Sequence, residues 1–266
     1  MGKFWALLFL LVPLLGTGLF LVALDADNRP LLNHWFPRDV SAYGHVIDGL
    51  FMTILWLTGI VFIATEVTLA WFIWRYDAQT NPDPPKFTHG SHNLEVIWTI
   101  LPAAILLFIA IYQLNAWAET RIRAPADPGL EVEVTARQFE WRLRYPGADG
   151  KFDTADDLYT VNDLHVPLEE DILVQLKSED VLHSFFLPNL RVKQDAVPGM
   201  KIPLWFRPTA TGSFDLVCAE LCGWGHYKMK GRLTVQSRED FDRWRGQLRN
   251  AQNKTHLSED SDEHDG

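Results

Sequence analysis

Cysteine is scarce in this chain, with two in 266 residues. At most one disulfide is available, so a disulfide-built scaffold is excluded. No C-x-x-C-H run occurs, so the chain has no covalent attachment point for a c-type haem. Basic residues are also few: 24 Lys and Arg stand against 34 Asp and Glu, a net charge of −10. That balance argues against nucleic acid as a partner and in favour of a basic protein, since opposite charge steers encounter. No internal repeat is visible.

Apolar length is plentiful. Residues 4–24 form an uncharged run behind Lys3. A second run spans about Leu50–Trp74, with Glu66 as its single charge, and a third spans about Val96–Trp117. A bilayer core of ~30 Å needs roughly 20 apolar residues in a helix, so each run is long enough to span. Residues 1–26 read either as a signal peptide or as an extra transmembrane helix, and Ala23-Leu24-Asp25-Ala26 makes a poor cleavage site. Pro82, Pro84 and Pro85 mark an extended link between the later runs, so residues 45–118 read as an antiparallel transmembrane hairpin. The Met1-Gly2-Lys3 start favours a cytoplasmic N-terminus. Three spans then put the C-terminal domain outside, as does a cleaved signal followed by two spans.

The pattern changes from residue 119. Short β-branched or alternating runs appear at Leu130–Thr135, Phe139–Tyr145, Leu158–Val161, Asp171–Leu176, Lys201–Phe206, Ser213–Val217 and Arg232–Val235. Turn signals such as Pro146-Gly147 and Pro198-Gly199 separate them. Residues 119–236 therefore read as an all-β sandwich or barrel. Ser237, with Asp240 three residues on, can cap a helix over 237–250 whose stripe is Phe241, Trp244 and Leu248. Residues 251–266 are acidic, lack periodicity and are expected to be disordered.

Both cysteines lie in one run, C-A-E-L-C-G-W-G-H-Y-K-M. Cys218, Cys222, His226 and Met229 are soft or borderline ligands of the kind that select copper. One Cys, one His and a Met would suit a mononuclear site, but two thiolates can bridge two metals. Each metal then needs an imidazole and a weak donor. The loop supplies His226 and Met229, and Glu220 can offer its backbone carbonyl. A second histidine must come from elsewhere. His183, in a loop after the Asp171–Leu176 strand, is the best candidate; His165 sits in a turn-like setting, and His256 and His264 lie in the tail. A zinc site or a Cys218–Cys222 disulfide would use the same cysteines but leave Met229 unexplained.

At these residues the chain resembles cytochrome c oxidase subunit II. Every specified position of that family's copper loop, C-x-E-x-C-G-x-x-H-x-x-M, is matched, and D-V-L-H-S followed by P-N-L-R-V-K-Q-D-A-V-P-G-M is similar to its first-histidine segment. The resemblance covers roughly residues 45–245. It implies a membrane-anchored all-β protein: transmembrane helices followed by a cupredoxin-like β-sandwich. It implies a binuclear copper A centre with Cys218 and Cys222 bridging, His183 and His226 terminal, and Met229 and the Glu220 carbonyl weak. The Glu220 carboxylate is expected to share an interfacial magnesium ion with subunit I, and a hard cation suits it.

Further expectations follow from the same resemblance. The protein would sit in the inner membrane as a multi-pass subunit, with its copper domain on the outer, periplasmic side. It would take electrons from cytochrome c and pass them to haem–copper subunit I, beside the other oxidase subunits, for oxygen reduction coupled to proton translocation. Electron input is expected at Phe139 and Trp141, with Phe139 standing where a tryptophan is usual. Asp180 would help dock the donor. Glu95 would mark a proton-pathway entrance, against the plainer reading of a carboxylate at a helix start. Glu66 reads as a helix or subunit contact. Asp149, Asp153, Asp156 and Asp157 read as a solvated acidic hairpin, with calcium binding as the lesser reading. The competing functions are a membrane-anchored copper-delivery module and a copper-free quinol oxidase subunit II; the intact ligand set argues against the latter.

Overall fold

The computed structural model describes residues 2–24, 37–79, 81, 84, 87 and 89–264. The chain divides into a helical unit (residues 1–37 and 48–115) and a β unit (38–47 and 116–266).

Three helices of the described chain are long and apolar enough to cross a membrane. They are α1 (Gly2–Leu24), α2 (Gly44–Arg75) and α3 (His92–Tyr112), the last continued by a short α4 (Leu114–Trp117) and a π-helical turn at Ala118–Ile122. At 1.5 Å per residue, the 32 residues of α2 extend about 48 Å, longer than a bilayer core. Lys3 lies over the Trp74 ring at 5.6 Å, so α1 begins beside the end of α2 and the two run antiparallel. Pro13 and Pro102 lie inside α1 and α3. Of the proline-rich link, Pro82 and Pro85 fall outside the described residues, as do residues 25 and 26 of the first segment.

The β unit is a sandwich of two five-stranded sheets, ordered β3-β2-β1-β5-β8 and β4-β10-β9-β6-β7. The strands are β1 (Leu130–Arg137), β2 (Glu140–Tyr145), β3 (Leu158–Val161), β4 (Asp163–Pro167), β5 (Ile172–Ser178), β6 (His183–Leu187), β7 (Val192–Ala196), β8 (Ile202–Phe206), β9 (Gly212–Cys218) and β10 (Lys230–Gln236). Pairing is antiparallel except for β1 with β5 and β10 with β4. Alternation drives the layering. Trp141, Leu143 and Tyr145 of β2 point inward with Ile172, Val174 and Leu176 of β5, and meet Leu164, Phe185, Leu216 and Leu233 of the other sheet. Each large buried side chain contributes roughly 1.5–3 kcal/mol. Tyr145 ties the sheets together: its hydroxyl accepts the His165 N–H (2.8 Å) and donates to the His165 carbonyl (3.2 Å).

Four sequence expectations change here. His165 lies within β4, not in a turn, and His183 opens β6 rather than standing in a loop. Both strands are five residues long; β6 is buried on both faces and shows no alternation, while β4 alternates over only four residues before Pro167. Phe139 is a turn residue: Arg137 pairs with Glu140, which leaves Gln138 and Phe139 as the β1–β2 hairpin loop. The C-terminal helix α5 (Arg238–His264) continues through most of the segment expected to be disordered, and no proline interrupts it. Residues 38–42, unread in the sequence, strap onto the β unit through Val40 N to Asn189 O and Thr209 N to Val40 O.

Candidate metal centre

The loop joining β9 to β10 is closed at its base by Cys218 N donating to Met229 O (3.1 Å). Inside it, Gly223 has φ +135°, a conformation open to glycine, and His226–Lys228 form a 3-10 turn. The loop therefore folds back on itself and turns Cys222, His226 and Met229 towards Cys218. Strand β6 pairs with β9 at Phe185 and Cys218, which brings His183 alongside.

The result is a compact donor cluster. The two Sγ atoms lie 3.9 Å apart as free thiols, with no disulfide. Cys218 Sγ lies 3.9 Å from His183 Nδ1 and 3.3 Å from the Glu220 carbonyl. Cys222 Sγ lies 3.8 Å from His226 Nδ1 and 3.8 Å from Met229 Sδ. Met229 Sδ also approaches His183 Nδ1 at 3.2 Å. His183, Cys218, Cys222 and Met229 are buried, and His226 is half-buried. Sulfur and imidazole donors in a shielded pocket suit copper, and the residues present fit it. The same set without Met229 would suit zinc, but the thioether is seated in the cluster.

Charge is distributed unevenly over the thiols. Burial opposes ionisation of Cys218, yet hydrogen bonding to His183, the adjacent backbone and His226 outweighs it and brings the thiol down to about 6. Burial and the neighbouring Cys218 charge push Cys222 up to about 11. Burial also disfavours the charged form of His183, but its bonds to Cys218 and Asp180 win and raise it.

Asp180 is placed differently from the expected docking carboxylate. Its Oδ1 lies 2.8 Å from His183 Nε2 and takes the Val181 N–H at 2.6 Å, while Oδ2 takes the Gln138 N–H at 2.8 Å. The carboxylate of this exposed residue bonds the imidazole and orients it so that Nδ1 faces the sulfurs. Burial works against its ionisation, but these bonds hold it below the usual carboxylate range.

Trp141 is fully buried, edge-on to Phe185 at 5.5 Å and 6.3 Å from the His183 ring, so it offers no ring to an incoming protein. The correction follows from β2 alternation, which directs Trp141 into the core. Phe139 is half-buried and packs edge-on against Trp224 at 5.2 Å. Trp224 was not singled out in the sequence; its position between two glycines inside the ligand loop was the available signal.

The remaining residues lie outside the cluster. Glu220 keeps its carboxylate half-exposed. Glu95 is exposed in the first turn of α3, and Glu66 is half-buried along α2. In the acidic hairpin, Arg144 supplies the positive charge: its guanidinium reaches Glu133 (2.7 Å), Asp153 (2.5 Å) and Asp157 (3.4 Å). Asp156 and Asp149 accept the backbone N–H groups of Ala148 and Lys151.

Residues 132–236 match the family model described as cytochrome c oxidase subunit II, periplasmic domain, and residues 31–116 match the transmembrane domain of the same subunit. The alternative cytochrome c oxidase subunit 2 of Bradyrhizobium diazoefficiens is 30% identical over 250 residues, covering 85% of this chain and 88% of that protein. Cytochrome c oxidase subunit 2 of Cereibacter sphaeroides is 30% identical over 240 residues, covering 79% and 77%. The crystal structure of the periplasmic domain of subunit II of cytochrome oxidase from Bradyrhizobium japonicum aligns with a TM-score of 0.44 and 29% identity, over 48% of this chain and 99% of that one. With both family models matched in chain order and relatives aligned over most of their length, the chain belongs to the cytochrome c oxidase subunit II family.

Proposed function

We propose that this subunit takes electrons singly from a cytochrome c at a binuclear copper A centre and passes them to the haem–copper catalytic subunit, which reduces oxygen to water with proton translocation. The observation that carries the reading is the doubled donor set. Two free thiols stand 3.9 Å apart, and each has its own imidazole and its own weak donor. Cys218 and Cys222 would bridge, His183 and His226 would cap, and Met229 and the Glu220 carbonyl would complete the shell. Copper bound there supplies a one-electron redox couple.

The chain's own contribution is fixed geometry. The sandwich clamps His183 through β6 and the thiols through the β9–β10 base, so the ligands keep one arrangement in both redox states. The Glu220 carboxylate would reach outward to an interfacial magnesium shared with subunit I. Glu95 would serve as the entrance of a proton pathway in that partner. The helices would anchor the subunit in the inner membrane as a multi-pass protein, with the β unit on the periplasmic side.

Copper quantification with electron paramagnetic resonance on the detergent-solubilised full chain tests the reading. The expected result is two copper ions per chain sharing one unpaired electron. One copper with a localised signal, readily removed by a chelator, would favour a delivery module instead. No copper after reduction and reconstitution would point to a copper-free oxidase subunit.

A further inference from the structure

The ligand loop carries an aromatic surface that the donor set does not need. Trp224 is 79% exposed, Leu221 76% and Tyr227 69%, all within seven residues that also contain Cys222 and His226. Holding such side chains in water forgoes the free energy that burying them would give. Clustered exposed apolar groups of this kind mark contact surfaces. Trp224 sits two residues from Cys222 and two from His226, so its backbone leads to a metal-binding side chain in either direction.

The ring is also held from below. Phe139 meets Trp224 edge-on at 5.2 Å. A Cβ added at Gly225 would come within 2.5 Å of the Phe139 ring, and one at Gly223 within 2.8 Å of Gln138 Nε2. Both glycines therefore let the hairpin turn press against the loop, and Gln138 Nε2 donates to Cys222 O at 2.5 Å. Trp224 thus stands in solvent against the half-buried Phe139, while Trp141 is fully buried.

Charges around this surface are engaged locally. Glu140 pairs with Arg142 at 2.8 Å, Glu179 lies 3.7 Å from Arg142, and Asp180 bonds His183 at 2.8 Å. Lys228 lies 5.5 Å from both the Trp224 and Tyr227 ring centroids. The face thus offers aromatic area and the Lys228 cation. Pairs this exposed contribute little to stability, but they reduce the local field.

We propose that Trp224 is the ring against which the haem edge of a one-electron donor protein docks, and through which its electron reaches the metal centre. The inference rests on the electron-transfer reading above. The donor's reduced haem iron loses one electron and the metal centre gains it. No bond forms or breaks, no proton moves, and the indole is not itself oxidised.

The test uses the assembled oxidase with reduced cytochrome c as the donor, comparing the parent with Trp224→Ala and Trp224→Phe. Copper content and the visible spectrum are read first. A parent without copper overturns the electron-transfer reading and this proposal with it. In a copper-loaded parent, Trp224→Ala is expected to keep the spectrum, to lower kcat/KM for cytochrome c by about tenfold or more, and to weaken donor binding in a direct titration. Trp224→Phe is expected to recover part of both losses. Reduction by a small mediator, which needs no docking face, should change by less than about twofold. Trp224→Ala turning over cytochrome c within about twofold of the parent overturns the proposal while leaving the copper reading intact. If Trp224→Ala loses copper, Trp224→Phe decides: full copper with unchanged donor affinity and turnover overturns it.

Discussion

Asp180 shows what a single carboxylate can and cannot reveal in a sequence. Three residues before His183, it could equally face solvent or its neighbour. The backbone turn at Gln138, brought over by the β1–β2 hairpin, supplies the N–H that fixes its second oxygen. That contact joins residues 42 apart and is invisible in any local pattern. Asp180→Asn keeps the shape but removes the charge that holds His183 in place. Copper affinity measured against a competing chelator should fall by about 10–100-fold, the usual cost of losing an outer partner of a metal-bound histidine. Unchanged affinity together with weaker cytochrome c binding would return Asp180 to the docking role. The ligand residues themselves were legible because soft donors at these spacings have few other uses. The buried Trp141 was not, because reading the strand back through Phe139 hid the hairpin turn that separates the two aromatics.

At the scale of elements, α5 is the piece whose packing the sequence describes most directly. Ser237 caps it: its hydroxyl accepts the Asp240 N–H at 3.1 Å and donates to the Asp240 carboxylate at 2.8 Å. Phe241 is fully buried, and Trp244 stacks on His165 at 4.0 Å with the rings 6° from parallel. Trp244 also meets Tyr145 edge-on at 5.4 Å, so the helix covers the point where that hydroxyl joins the two sheets. Phe241→Ala should destabilise the β unit by about 3–5 kcal/mol, read from urea unfolding at fixed copper loading, without altering the copper spectrum of the folded fraction. A loss under about 1 kcal/mol would mean that α5 docks through Trp244 alone. Seven of the ten strands were legible from alternation and β-branched runs. The three that were not are β4, β6 and β7. β4 (DLHVP) alternates too briefly before its proline, β6 is buried on both faces, and β7 (VKQDA) is polar enough to resemble a loop.

For the whole molecule, the metal centre links proton binding to stability. Without metal, hydrogen bonding brings the Cys218 thiol down to about 6 against the cost of burial, while burial and the Cys218 charge 3.9 Å away push Cys222 up to about 11. Between those values the chain holds one thiolate and one thiol. A metal bridged by both sulfurs must displace the Cys222 proton, so apparent copper affinity should rise at least about tenfold per pH unit across that window. Below about 6 a second proton must leave Cys218, and the dependence steepens. Each tenfold gain in affinity adds about 1.4 kcal/mol to the stability of the loaded chain at fixed free copper. The metal-free chain follows its own rule. Cys218, depressed on folding, contributes stability above its unfolded value that is lost as pH falls through about 6, whereas Cys222, raised on folding, contributes stability that is lost as pH rises through about 11. Thermal unfolding with and without copper, in buffers from about pH 6 to 8, separates these contributions. The copper-induced rise in Tm should grow with pH. An increment that stays flat would mean that binding displaces no thiol proton and that the two cysteines do not both ligate the metal.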